Sequence, residues 1–237
     1  MPAPALDDRL SKAAALFPAC AYGADIGADH GRLSCYLLES GKCGRMCVAD
    51  ISESSLEKAK KLLTRRGLDG RADILAGDGL SVLPHPAQAI AILGMGGKTL
   101  SNILLSGKDR LCGAALILSA HTEIETVRRA LVELGYRIEA EEIALAAGRV
   151  YVVLRAVPGE EALTGKQLFL GPRLMESAKE YYLKYLAQRI RHALPMRTNE
   201  GIMQLNWLRE EEKRVSDCAD NRRNAEYAGS CGNGGKL

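Results

Sequence analysis

Apolar residues recur every three or four positions at the start of the chain, at Leu6, Leu10, Ala13, Ala14 and Phe17. That period is helical, and Pro18 ends it. Short apolar runs then alternate with amphipathic stretches. The runs at 22–26, 45–50, 72–76, 89–93 and 114–118 read as strands. The stretches at 32–40, 52–66, 98–106 and 123–134 read as helices. Ser52 is a good N-cap for the second of these, and Gly67 stops it. Two longer segments, 136–146 and 149–156, flank Ala147-Gly148 and read as a hairpin. Strands alternating with helices predict an α/β fold, with a mostly parallel sheet covered on both faces and an antiparallel hairpin at one edge.

The pattern changes near Pro158-Gly159, and no convincing strand follows. Residues 173–193 read as a helix with Leu183, Leu186, Ile190 and Leu194 on one face, ended by Pro195. Residues 202–216 read as a second, with Ile202, Leu205 and Leu208 inward and Glu210-Glu211-Glu212 toward water. This predicts a domain over 1–158, a coiled-coil-like helical hairpin over 159–228, and a disordered glycine-rich tail over 229–237.

Composition adds limits. Among 237 residues the net charge is only +3, and no apolar run reaches the ~18 residues needed to span a bilayer. The N-terminus lacks a basic segment followed by an apolar core, so no signal peptide is expected and the cytoplasm is the expected location. The 7 cysteines are scattered with no C-x-x-C, which favours small buried hydrophobes over a disulfide framework or a metal site. Basic residues concentrate at Arg173, Lys179, Lys184, Arg189, Arg191 and Arg197, against Glu176 and Glu180. Such a surface suits a polyanion such as RNA; the plain alternative is a solvated helix face. Aromatics are few, which argues against an extended base-stacking surface.

The candidate chemistry lies at the ends of the predicted strands. Asp25-Ile26-Gly27-Ala28-Asp29-His30-Gly31 reads as strand, tight turn and helix start. Glycines there let the backbone approach a ligand closely. Asp29 occupies a place that is poor for a pyrophosphate, and two carboxylates suit a cation. S-adenosylmethionine has an ammonium, a sulfonium and no phosphate. Asp50 follows Gly27 by 23 residues, near the spacing at which a carboxylate meets ribose hydroxyls. Asp78-Gly79 follows the third strand, where an adenine amino group would be accepted. Gly94-Met95-Gly96-Gly97 follows the fourth, a pliable wall able to admit a flat base, with Met95 to pack on it. Each signal alone is also a structural turn. Four in order, each after a successive strand, predict a Rossmann-like methyltransferase.

Asp25-Ile26-Gly27-Ala28-Asp29-His30 resembles the D-I-G-[ST]-D-H block of the bacterial tRNA (adenine-N1)-methyltransferases that modify adenosine 22. Leu10-Ser11-Lys12, Ala49-Asp50-Ile51, Gly77-Asp78-Gly79-Leu80, Gly94-Met95-Gly96-Gly97 and Gly148-Arg149-Val150-Tyr151 resemble further blocks of that family, over roughly residues 6–156. The resemblance implies a class I fold with a C-terminal helical domain that helps hold tRNA. It implies S-adenosylmethionine as donor, tRNA as partner, and Asp25, Gly27, Asp29, Asp50, Ile51, Asp78, Gly79, Gly94, Met95 and Gly96 about the donor. Adenine N1 would attack the sulfonium methyl with its own lone pair. Asp29 or His30 would orient the N6 amino group or take its proton. Three departures stand out: Leu33-Ser34 for the family's L-P, Ser54-Ser55 where a Pro is usual, and Ser119-Ala120-His121 for Gln-Pro. Alternative readings are methylation of another RNA or a small molecule, an RNA-binding protein with a vestigial donor pocket, and a nicotinamide oxidoreductase, which Asp29 disfavours. Nothing fixes the oligomeric state; a monomer is the expectation.

Overall fold

The computed structural model of the chain describes residues 5–176 and 180–230. Its strands are β1 (Cys20–Ile26), β2 (Cys43–Asp50), β3 (Ala72–Ala76), β4 (Ala89–Met95), β5 (Ala115–Ala120), β6 (Tyr136–Ala146) and β7 (Arg149–Pro158). They form one sheet in the order β3-β2-β1-β4-β5-β7-β6. The first five are parallel; β7 inserts antiparallel between β5 and β6. The continuous apolar run Ala89-Ile90-Ala91-Ile92 is fully buried, as a central strand covered on both faces requires. Ala147 and Gly148 both have positive φ, the backbone of a two-residue hairpin turn that matches strand twist.

Helices α1 (Asp8–Leu16), α2 (Arg32–Glu39), α3 (Glu53–Arg65), α4 (Gly97–Ser106), α5 (Lys108–Leu111) and α6 (Ile124–Glu133) accompany the sheet. Asp7 caps α1, its carboxylate accepting from the Leu10 N–H at 2.8 Å, and Ser52 caps α3. Ala13, Ala14 and Phe17 of the N-terminal segment join a core with Leu33, Leu37, Leu38, Met46 and Val48. α1 is also tied to β6: the Leu145 N–H donates to Asp8 at 2.7 Å, and Lys12 pairs with Glu142 at 3.3 Å. α6 is pinned to β6 by a wholly buried ion pair, Arg128–Glu141, at 2.8 Å.

Several boundaries differ from expectation. β1 and β2 begin at Cys20 and Cys43, two residues earlier than the pattern predicts, because these two pair in register. Their sulfurs lie 3.3 Å apart as free thiols. β4 and β5 run on to Met95 and Ala120 because a bulge at Gly94 lets the ladder continue past the glycine. The short α5 has too few residues to show a period.

The chain divides into two compact units, Met1–Thr164 and Gly165–Leu237. The second holds α7 (Gly165–Leu170), α8 (Pro172–Met175), α9 (Glu180–Ala193) and α10 (Asn199–Ser230). The predicted helix over 173–193 is therefore two pieces, and 177–179 lie outside the described residues. The predicted helix over 202–216 is part of the much longer α10, which takes in Gly229 and Ser230 of the expected tail; 231–237 lie outside the described residues. The buried face of α9 carries Tyr182, Tyr185, Leu186 and Ala193, while Leu194 is exposed. On α10 Leu208 is buried and Ile202 exposed. Glu211, expected to face water, is buried and bonded by the Tyr182 hydroxyl and by Arg214. Among the described residues no helix is long and apolar enough to cross a membrane, and no cluster could hold a metal ion.

Candidate active site

The strand order reverses between β1 and β4, so their carboxyl ends diverge and open a crevice, the place where open parallel sheets bind ligands. A cleft of about 320 Å³ lies there, lined in part by Asp25, Gly27, Asp29, His30, Gly94 and His121. Asp25, the penultimate residue of β1, is 3% exposed. Burial pushes its carboxyl up to about 6, Ser34 opposes this with hydroxyl and backbone donors, and the Asp50 charge adds to the rise. The Ser34 hydroxyl donates to Asp25 at 2.7 Å. A proline at 34, which the resemblance leads one to expect, would supply neither donor.

The turn after β1 is held by β2. Gly27 and Ala28 donate to the Ala49 carbonyl at 2.8 and 3.0 Å. The Asp50 carboxylate accepts from the Asp29 N–H at 2.9 Å and the Ser52 N–H at 2.8 Å. Asp50 thus joins the turn to the start of α3 and keeps further lone pairs for a ligand. Gly27 has φ +72, and a Cβ there would stand 2.9 Å from the Met95 methyl. Asp29 also has positive φ, uncommon for a residue with a side chain. Its carboxylate is 70% exposed and meets His30 at 3.4 Å and the Ser55 hydroxyl at 3.3 Å. His30 lies 3.2 Å from Lys58 of α3. Both residues therefore face the β2–α3 side of the cleft.

Ile51, just past β2, is 75% exposed, an apolar surface beside Asp50 on which a flat ring can pack. Asp78 and Gly79 line a neighbouring cleft of about 680 Å³ with Asn102 and Arg110, and do not line the first. Gly94, with φ +81, forms the opposite wall. Gly96 caps α4, and Gly97 packs so tightly that a Cβ would run into the Thr122 and Glu123 carbonyls.

Arg9 is the residue that sequence reasoning missed. It lies 3.2 Å from His121 Nε2, and its guanidinium sits over the Tyr151 ring at 5.6 Å. His121 meets Tyr151 edge-on at 5.4 Å. No spacing marks this group, because Arg9, His121 and Tyr151 come from α1, the end of β5 and β7.

The predicted RNA-binding residues divide. Arg173 pairs with Glu176 at 3.0 Å, and Arg189 stacks on Phe169 at 4.1 Å, so both are partly structural. Arg191 and Arg197 are exposed. Lys179 lies outside the described residues. Lys184 lines a groove of about 570 Å³ between α9 and α10, with Arg209 and Lys213 among its neighbours. Arg209 and Lys213 lie outside the stretch the charge pattern singled out.

Comparison with known proteins bears on this arrangement. Residues 23–217 match the model of the TrmK family, tRNA (adenine(22)-N(1))-methyltransferase. The curated tRNA (adenine(22)-N(1))-methyltransferase of Bacillus subtilis (strain 168) is 31% identical over 223 residues, 91% of this chain and 93% of its own. The crystal structure of the B. subtilis M1A22 tRNA methyltransferase TrmK superposes with a TM-score of 0.75 at 28% identity, covering 90% of this chain and 98% of that one. The structure of M. capricolum TrmK, solved with S-adenosyl-homocysteine, matches in fold with a TM-score of 0.75 at 22% identity, covering 89% and 98%.

Proposed function

The chain belongs to the tRNA (adenine(22)-N(1))-methyltransferase family, and from that premise we propose that it transfers the methyl group of S-adenosylmethionine to N1 of adenosine 22 in tRNA. One observation carries the reading: Asp25, Gly27, Asp29 and Gly94 line one cleft at the reversal of strand order. The residues fit a cationic, ribose-bearing donor. Asp25 offers a buried carboxylate for an ammonium, Asp50 has acceptor capacity for ribose hydroxyls, and Ile51 offers an apolar face for adenine. Met95, whose methyl faces Gly27, and Gly96 complete the donor surroundings in this reading, and Asp78 and Gly79, which line the neighbouring cleft, would take the adenine end.

When bound, the donor would supply an electrophilic methyl and leave as S-adenosylhomocysteine. N1 has its own lone pair, so bond formation needs no base, and the chain acts mainly by alignment. Asp29 and His30 engage Ser55 and Lys58 of α3. That supports a donor-side role, holding the turn against α3. The acceptor side falls to the ends of β4 and β5. The target adenosine must leave its stack to reach the cleft, at a cost of about a few kcal/mol. Lys184, Arg209 and Lys213, with Arg191 and Arg197, give the second unit a basic surface for tRNA phosphates, in the cytoplasm where tRNA is found.

The test is transfer from labelled S-adenosylmethionine to unmodified tRNA transcripts, followed by nucleoside analysis. The expected product is 1-methyladenosine at position 22, abolished when that adenosine is replaced. Label at another position would overturn the assigned target, and donor binding without label in any tRNA would overturn the acceptor class.

A further inference from the structure

The hydrogen bond between Arg9 and His121 settles which ring nitrogen of His121 carries the lone pair. A guanidinium only donates, so Nε2, 3.2 Å from Arg9 Nη1, accepts and the proton sits on Nδ1. Burial first, then the charges of Arg9 and Arg149, pulls the imidazole below the ordinary histidine range, so the ring is neutral near pH 7. Tyr151 packs against the ring edge at 5.4 Å and holds its plane. Both Arg9 and His121 look onto Gly94: a Cβ on that glycine would stand 3.0 Å from Arg9 Nη1 and 3.4 Å from His121 Nε2. A neutral acceptor, held in plane by an aromatic ring, therefore faces the bare wall of the cleft opposite Asp29 and His30. Nothing in the donor-side chemistry uses it.

We propose that His121 reads the acceptor base: its Nε2 accepts from the exocyclic 6-amino group of adenine, while Arg9 leaves that nitrogen for a phosphate of the same nucleotide. This rests on the methyltransferase reading above. Adenine carries an N–H donor at C6 beside a bare N1. Guanine and hypoxanthine carry a carbonyl at C6 beside a protonated N1. A histidine lone pair welcomes the first and opposes the second, so one contact selects the base and leaves N1 free to attack. Gly94 supplies the room, since any side chain there would occupy the space before both atoms. The proposal also gives a role to His121 in a segment that departs from the family's Gln-Pro.

The test uses two tRNA transcripts, with adenine or with unsubstituted purine, which lacks the amino group, at position 22. Wild type, His121→Ala and His121→Gln are compared. Transfer is read as kcat/KM on the adenine tRNA, and Kd is read for both tRNAs with S-adenosylhomocysteine present. His121→Ala is expected to lower kcat/KM and weaken the adenine tRNA on the order of tenfold, and to bind the purine tRNA as wild type does. His121→Gln, which keeps an acceptor, restores part of the loss. Affinity for S-adenosylmethionine stays unchanged. Equal weakening of both tRNAs, or a parallel fall in donor affinity, would show that His121 only supports the fold. Full activity of His121→Ala on the adenine tRNA would refute the proposal while leaving the methyltransferase reading intact; no transfer by wild type would bring down both.

Discussion

Replacing Asp25 by Asn should make the protein more stable and worse at binding its donor. The carboxyl is 3% exposed and raised from 3.8 to about 6, chiefly by burial. At about 1.36 kcal/mol per pH unit, that rise is a cost of roughly 3 kcal/mol to the folded state once the group is ionised. The sign follows from linkage. Below pH 3.8 the carboxyl is protonated in both folded and unfolded chains, and the cost is absent. It grows between pH 3.8 and 6 and is complete above. Asn keeps an oxygen to accept from Ser34 and removes the charge. At pH 8 the variant should gain up to roughly 3 kcal/mol, a rise in Tm of about 6–12 °C for a chain of this size. The gap should close as the melts are repeated toward pH 4. Titration calorimetry with S-adenosylmethionine should show the opposite trend: wild-type affinity falls as pH drops through about 6, and the variant binds weakly at every pH. A variant less stable than wild type at pH 8, or a gap that ignores pH, would refute the reasoning. The ionised carboxylate would then be satisfied within the fold rather than held for a ligand.

Ser34→Ala removes a donor that counteracts the burial of Asp25, so the pH midpoint of donor binding should move upward; calorimetry across pH 5–8 checks this. Arg128→Met strands Glu141 in the core and should cost about 3–5 kcal/mol in urea denaturation, while the pair Arg128→Met with Glu141→Leu should recover most of it. Replacing Lys184, Arg209 and Lys213 by Ala should weaken tRNA binding and flatten the log Kd against log salt slope by about 2–3. An unchanged slope would take the groove between α9 and α10 out of the RNA interface.

The sheet was legible because each of the first four strands is a short apolar run closed by a glycine or an aspartate. The turn at 25–31 and the bulge at Gly94 both follow from glycines that must adopt positive φ. Boundaries slipped where register rather than composition decided them, as at Cys20 and Cys43. In the second unit the apolar period pointed to Leu183, Ile190 and Leu194, yet Tyr182 and Tyr185 hold the interior: a tyrosine buries a large ring and reaches a partner with its hydroxyl, here Glu211. Glu211 itself looked like one of three solvated acids. Arg9 was invisible because nothing on α1 distinguishes a cation that points at a site from one that points at water. Long-range packing alone brings it to His121.

That packing has a consequence for the order in which the molecule is made. Asp8, Arg9 and Lys12 meet Leu145, His121 and Glu142, partners 137, 112 and 130 residues further on. Contacts of such separation form late, because the intervening chain must first be closed. During synthesis α1 can pack its apolar face on α2 and β2 early, but its polar ties at Asp8 and Lys12 must wait for the hairpin of β6 and β7. A nascent chain ending at β5 carries the whole donor turn and still lacks a seated Arg9. The acceptor side is complete only when β7 brings Tyr151 to Arg9 and His121.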